Sequence, residues 1–197
     1  MNRPIPMQRG FTMLEVLVAL LILMIGLLGL AGLLVTTQQG EVEAYQRKQA
    51  AVLLQDMLDR ITANSKAAGA AGQCYAFTTD AANGSPSLGT GNAVNAVFVC
   101  GAGSASQQVR GAADLAAWNN ALLGTAERKG AAEVGAIIDA RGCVTNPAPE
   151  TYTVSIAWRG LQPTVAPPAA YTCGLNQYTD ERLRRVISVT IRIANLT

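Results

Sequence analysis

The hydrophobic pattern is dominated by one apolar block near the start of the chain. Twenty consecutive residues, Val16 to Val35, carry no charged or polar side chain. A helix of that length rises about 30 Å and matches the hydrocarbon core of a bilayer. Arg3 and Arg9 precede the block, and Glu41 and Glu43 follow it. The positive-inside rule therefore places the N-terminus in the cytoplasm and exports the remainder. A cleaved secretory signal fits less well, because its apolar region is about 7 to 15 residues long.

A second helical pattern follows the block. Residues 36–64 contain no proline, and apolar side chains recur at helical spacing at Ala50, Leu53, Leu54, Met57, Leu58 and Ile61. We expect one helix from Phe11 to about Ala63, roughly 80 Å long at 1.5 Å per residue. Residues 11–35 would form its membrane-spanning part, and residues 36–64 its amphipathic continuation, which ends near Asn64 and Ser65.

Three glycines, Gly26, Gly29 and Gly32, recur inside the apolar block. Glycine costs about 1 kcal/mol relative to alanine in a helix interior, which favours bending or unwinding here when the helix packs in a larger assembly. Small residues also allow close helix packing. Both interpretations stay open.

Period-2 patterns replace the helical pattern beyond residue 65. Alternate residues are apolar in two segments, at Tyr152, Val154, Ile156 and Trp158, and at Ile187, Val189, Ile191 and Ile193. Such alternation is typical of antiparallel strands with one buried face. We predict strands at 94–100, 134–139, 151–158 and 186–194, a helix at 112–123, and loops at 67–72, 80–92 and 101–108. The sequence thus predicts an α+β fold in which the amphipathic helix packs on an antiparallel sheet, with a globular head at residues 65–197.

Four cysteines, Cys74, Cys100, Cys143 and Cys173, all lie in the predicted head. None forms a Cys-x-x-Cys pair, so two disulfides in an oxidising compartment are favoured over a zinc site. Four cysteines allow three pairings. We favour Cys74 with Cys100 and Cys143 with Cys173, because each closes a loop of about 25 to 30 residues, worth roughly 3 to 4 kcal/mol.

Composition excludes several kinds of chemistry. The chain has no histidine, which excludes Ser-His-Asp and Cys-His nucleophile systems and histidine-ligated metals. Asp80 with Asn83 and Gly84 falls short of a calcium site. We therefore predict no catalytic residue, no metal, no cofactor and no enzymatic activity. The formal charge is +2, from 15 basic and 13 acidic side chains, and two of the basic ones lie in residues 1–10, which leaves 13 of each. A general phosphate-binding surface is not favoured.

The residues GFTMLE at positions 10–15 lie between a short basic leader and the apolar block. They resemble the prepilin signature of type IV pilins and type II secretion pseudopilins. The resemblance implies that a prepilin peptidase cleaves between Gly10 and Phe11 and that the new N-terminal Phe11 is N-methylated. A carboxylate at the edge of a membrane span is costly alone, but Glu15 can pair with the new amine of a neighbouring subunit. Glu15 is therefore the expected subunit-assembly carboxylate.

Within that family, residues 44–64, 112–123, 152–160 and 184–196 resemble PilV-type minor pilins, also called type IV pilus modification proteins. The resemblance implies a low-abundance subunit of the complex that initiates pilus assembly, placed at or near the tip and supporting piliation, adhesion and twitching motility. Its implied partners are other minor pilins, the major pilin, the inner-membrane assembly platform, the prepilin peptidase and a tip adhesin. Its implied location is the bacterial inner membrane, with a periplasmic head, and then the extracellular pilus.

Two alternatives share parts of this pattern. A minor pseudopilin of a type II secretion system has the same leader and helix but serves protein export. A DNA- or surface-binding pilin would use the basic group Arg182, Arg184 and Arg185 together with the Pro-rich segment 159–171. That segment resembles the variable region of pilins, and a plain surface loop explains it equally well.

Overall fold

The computed structural model describes residues 10–69, 74–91, 101, 103–125, 128–130, 132–133 and 137–194. The chain divides into two compact units, Met1–Val42 and Glu43–Thr197. A long helix, α1 (Met13–Ala63), begins in the first unit and supplies the start of the second. It is helical through all three glycines of the apolar block and ends where the sequence predicted.

The second unit contains short and long elements after α1. They are α2 (Ser65–Gly69), β1 (Leu88–Gly89), α3 (Ala105–Leu123), β2 (Arg128–Lys129), β3 (Ala132–Glu133), β4 (Arg141–Ala148), β5 (Thr151–Arg159), a 3-10 turn (Glu181–Leu183) and β6 (Arg184–Arg192). In the described part of the chain, β1, β4, β5 and β6 form an antiparallel sheet in the order β1-β4-β5-β6, and β2 pairs with β3. The α+β fold with a long helix and an antiparallel sheet is thus confirmed.

The core lies between the sheet and the helices of the second unit. Alternate residues of β5 are buried, which confirms the period-2 prediction, and the predicted stripe of α1 is buried against the same core. Trp118 of α3 is fully buried, donates from Nε1 to the carbonyl oxygen of Leu53 at 2.8 Å, and meets Phe77 edge to face at 6.4 Å between ring centroids. Burying such an aromatic side chain stabilises a fold by about 1.5 to 3 kcal/mol.

The helix α3 begins seven residues before its predicted start, at Ala105 instead of residue 112. Ser104 caps it, because its side chain accepts from the amide of Gln107 while the Gln107 side chain accepts from the amide of Ser104. This Ser-x-x-Gln capping box is a sequence signal that the loop prediction for 101–108 missed. Gly124 ends the helix in the left-handed conformation at φ 68°.

One predicted strand is wrong in its described part. Residues 137–139 of the predicted strand 134–139 form a turn, with Asp139 at φ 53°, and residues 134–136 lie outside the described residues. The strand is instead β4, which sequence propensity missed because it contains Gly142 and Pro147. Trp118 packs directly over Gly142, and a register shift between Thr145 and Ala148 accommodates the proline.

The final strand is shifted from its predicted bounds of 186–194 to Arg184–Arg192. Among the strands that the structure describes, it pairs with β5 alone. As an edge strand it buries its apolar side unevenly: Ile187 and Ile191 pack against the core, whereas Val189 is 40% exposed. Ile193, just beyond the strand, is buried. The predicted strand 94–100 lies outside the described residues.

Candidate functional site

The segment before α1 is non-helical and exposed. Gly10, Phe11 and Thr12 precede the first helical residue, and the Phe11 side chain is 83% exposed. A Cβ placed on Gly10 would meet no other atom within 4 Å. The peptide bond between Gly10 and Phe11 therefore lies outside the helical hydrogen-bond ladder, in an exposed segment that a peptidase can reach.

Thr12 starts the helix as its N-cap. Its Oγ1 accepts from the amide of Glu15 at 3.3 Å, and its carbonyl oxygen accepts from the amide of Val16 at 3.3 Å. The sequence Thr-x-x-Glu at 12–15 is a capping-box pattern, and it indicates a later helix start than the Phe11 predicted above. It fixes the helix start two residues after the predicted cleavage bond.

Glu15 lies in the first turn of α1 and is exposed. A carboxylate there is favoured by the positive end of the helix dipole, by about 0.3 to 1 kcal/mol. Within the described residues, no cation pairs with it. The structure thus presents an acid at the margin of the apolar block, open to a cation from elsewhere.

The apolar block is exposed along its length in the isolated chain. Its most apolar stretch has a mean hydropathy of 2.9, and none of that stretch is buried. By length and composition, α1 is the one described helix that could cross a membrane. Gly26, Gly29 and Gly32 have open space where a Cβ would stand. Exposed apolar surface of this extent requires lipid or other helices as its environment.

A family model described as "Prokaryotic N-terminal methylation motif" matches residues 5–31. The chain carries a prepilin-type leader. No curated protein and no solved structure matched the chain. The leader supports a type IV pilin-like or pseudopilin protein and points to a structural subunit. The long apolar helix and the antiparallel sheet fit the pilin fold, and one apolar helix behind a prepilin leader fits a single-pass inner-membrane protein.

The basic group of the head, Arg182, Arg184 and Arg185, contacts neighbouring acids and carbonyl oxygens. Arg182 pairs with Asp180 at 2.9 Å, and this hydrogen bond holds the pKa of the Asp180 carboxyl below its usual value. Arg184 is 1% exposed and donates to Glu181 Oε2 at 2.5 Å. The three arginines therefore do not form the free cationic patch that a DNA-binding surface needs.

Arg185 takes part in a contact that links distant parts of the head. Its Nη2 lies 3.3 Å from Glu43 Oε1, and the same oxygen accepts from the amide of Leu161 at 3.1 Å. The Arg185 guanidinium also donates to the carbonyl oxygen of Gln162 at 2.8 Å. Glu43 thus connects α1 to β6 and to the Pro-rich segment. From the sequence alone it was only an acid that follows the apolar block.

The Pro-rich segment 159–171 leaves the sheet after β5 and is exposed almost throughout; Val165 is 90% exposed. The Cys143–Cys173 disulfide encloses this segment in a covalent loop, which confirms the favoured pairing of these two cysteines. Arg184 fixes its end by donating to the carbonyl oxygen of Tyr171 at 2.6 Å. Cys74 is also disulfide-bonded, but its predicted partner Cys100 lies outside the described residues, so that pairing stays a prediction.

A buried polar network joins α1, α3 and the loop between them. Asp114 accepts from Arg60 Nη1 at 3.1 Å and from the hydroxyl of Tyr75 at 2.7 Å, and that hydroxyl accepts from Asn64 Nδ2 at 3.0 Å. Burial, together with the hydrogen bond to Asp114, raises the pKa of Tyr75 above its ordinary value. Because every group has a partner, the network fixes the two helices in one register.

The segment around Asp80 is a self-contained turn. Its carboxylate accepts from the amide of Ala82 at 2.9 Å and from Asn83 Nδ2 at 2.6 Å. These oxygens serve the turn itself. Among the described residues, no cluster of acids, cysteines or histidines has the arrangement of a metal site.

Proposed function

We propose that this chain is a minor pilin of a type IV pilus, similar to PilV-type proteins. The observation that carries the proposal is the prepilin-type leader followed by an exposed apolar helix with an acid in its first turn. In this proposal the prepilin peptidase cleaves between Gly10 and Phe11, and Phe11 is then N-methylated. The mature chain is held in the inner membrane with its head in the periplasm.

Assembly depends on the pairing of Glu15 with the Phe11 amine of an adjacent subunit. Cleavage creates that amine, and the carboxylate and the ammonium are each costly in hydrocarbon but tolerable as a pair. Removing one partner of such a pair costs about 3 to 5 kcal/mol, because the other charge stays buried and unpaired. The pair thus sets the stagger of neighbouring helices, and the glycines of the apolar block allow that helix to pack or bend.

The proposed subunit joins other minor pilins, the major pilin and the inner-membrane assembly platform in the complex that initiates the pilus. It then sits at or near the tip, beside a tip adhesin, and supports adhesion and twitching motility. The exposed Pro-rich segment, fixed by the disulfide and by Arg184, is the surface of the head that we assign to contact with neighbours.

The test is Glu15→Gln, with Glu41→Gln as the matched control, because Glu41 is an exposed acid on the same helix but beyond the apolar block. We expect Glu15→Gln to remain in the membrane at normal abundance and to be lost from sheared pili, whereas Glu41→Gln is incorporated normally. Intact-mass measurement of the wild-type chain should give a product that begins with methylated Phe11. Normal incorporation of Glu15→Gln would refute the assembly role.

A deletion strain separates the two machines that share this leader. A minor pilin predicts loss or reduction of surface pili and twitching with normal export of secreted proteins. Loss of protein export with normal piliation would instead assign the chain to a type II secretion system.

A further inference from the structure

Arg141 at the start of β4 is a buried cation with unused hydrogen-bond donors. It is 8% exposed, and its Nε has no hydrogen-bond partner. Its polar contact within the described residues is an ion pair in which Nη2 lies 3.7 Å from Asp139 Oδ1, beyond hydrogen-bond distance. The ring of Tyr178 lies 5.8 Å from the guanidinium carbon. Arginine has five N–H donors, and a buried charge without hydrogen bonds is costly.

A cavity of about 170 Å³ lies against this side chain. Its lining is mixed, and the uncharged polar residues among those that line it are Asn83, Ser85, Ser87 and Gln177. The cavity is smaller than the roughly 300 to 1,000 Å³ of sites that enclose a whole drug-sized ligand. Its size therefore suits a single small group.

The backbone of Gly91 packs closely against the guanidinium of Arg141. It has φ +69°, and a Cβ at this position would lie 2.8 Å from Nη1 and 2.9 Å from Nη2 of Arg141. A side chain there would cover both terminal nitrogens. Because residue 91 has no side chain, no Cβ covers these two nitrogens, and Arg141 and Gly91 both line the cavity.

We propose that the cavity against Arg141 binds one carboxylate group. The guanidinium fork matches a planar carboxylate with two parallel N–H···O bonds, and the lining residues Ser85, Ser87 and Gln177 carry side-chain donors that suit the same oxygens. Asp139 already offsets part of the Arg141 charge, so a monoanion fits this site better than a phosphate dianion. This site is separate from the leader and does not depend on the proposed function.

The test uses the full-length chain in detergent micelles, with sodium acetate replacing sodium chloride at constant ionic strength. Both tryptophans of the chain, Trp118 and Trp158, are buried in the head, so their fluorescence reports its melting temperature. At ten times the Kd, acetate should raise the Tm of the wild-type chain by about 3 to 6 °C. Equal Tm values in acetate and chloride would overturn the proposal.

Two kinds of variant locate the effect. Arg141→Gln should abolish the acetate response, and the control Arg182→Gln, which changes an exposed arginine paired with Asp180, should retain it. Should Arg141→Gln fail to fold, the double variant Ser87→Ala and Gln177→Ala, which removes two donors of the lining, should weaken acetate binding several-fold. A full acetate response in the variants that lack these donors would refute the site.

Two further probes distinguish the sources of the carboxylate. The peptide N-acetyl-Gly-Glu-Gly-amide carries it on a side chain, and the matching Gln peptide lacks it. Stabilisation by acetate but by neither peptide supports a small free carboxylate as the ligand, and stabilisation by acetate and by the Glu peptide but not the Gln peptide supports an acidic side chain of another chain. Failure of acetate to stabilise the chain would overturn the proposal, and none of these outcomes bears on Glu15.

Discussion

Replacing Asp114 by alanine should destabilise the head through two lost hydrogen bonds. The Tyr75 hydroxyl is fully buried and would lose its acceptor at 2.7 Å, and an unsatisfied buried donor costs about 1 to 3 kcal/mol. Arg60 would lose its bond at 3.1 Å but keep Asp56 at 2.9 Å. Because Arg60 is partly exposed, this second loss adds only about 0 to 1 kcal/mol. The expected total is about 1 to 4 kcal/mol.

Tryptophan fluorescence of the full-length chain in micelles provides the assay. A loss of about 1 to 4 kcal/mol corresponds to a fall in Tm of about 2 to 16 °C for a protein of this size. Asp114→Asn should cost less, because the amide oxygen still accepts from Tyr75. Asp59→Ala is the matched control: Asp59 is an exposed acid of α1, and its loss should change stability by less than about 0.5 kcal/mol.

A double-mutant cycle with Tyr75→Phe isolates the bond between the two side chains. We expect a coupling energy of about 1 to 2 kcal/mol, because Tyr75→Phe removes the donor that Asp114→Ala leaves unsatisfied. Two outcomes would refute the reasoning: an Asp114→Ala variant as stable as the Asp59→Ala control, or single-variant effects that add completely.

Three further predictions concern the same head. Replacing Cys143 and Cys173 by alanine should cost about 3 to 4 kcal/mol, because the bond closes a loop with a sequence separation of 30, and urea unfolding of the variant and the wild type measures this difference. Burial raises the pKa of Tyr152 from 10.0 to about 12. The stability that its neutral hydroxyl contributes is fully present below pH 10 and is lost as the pH rises to 12. Tyr152→Phe should therefore flatten the dependence of stability on pH in this range, and an unchanged dependence would contradict the raised pKa. Gly142→Ala should lower stability by about 1 to 3 kcal/mol, since its Cβ would overlap the Trp118 ring, and thermal melts compared with Gly40→Ala, whose Cβ meets nothing, check it.

The sequence pattern alone predicted the elements whose structure depends mainly on their own residues. The apolar block, the stripe of α1 and the alternation of β5 each follow from the period of buried positions, and the structure agrees with all three. The N-terminal motif at residues 10–15 is also local, because a peptidase and a helix cap both act on a few consecutive residues. Two capping-box patterns, Thr12-x-x-Glu15 and Ser104-x-x-Gln107, were equally available from spacing, and the second would have corrected the start of α3.

Tertiary packing decided the rest. β4 is a strand because β1 and β5 supply its hydrogen bonds and Trp118 covers Gly142. The strand propensities of Gly142 and Pro147 do not predict this stabilisation. The arginines at 182–185 form a cationic group along the chain, yet Arg182 and Arg184 pair with the adjacent acids Asp180 and Glu181, and folding brings Arg185 to Glu43, far away in sequence. Charges and strand pairings depend on neighbours in space, which a one-dimensional pattern does not contain, whereas a membrane-length helix and its acid need no neighbour to be recognised.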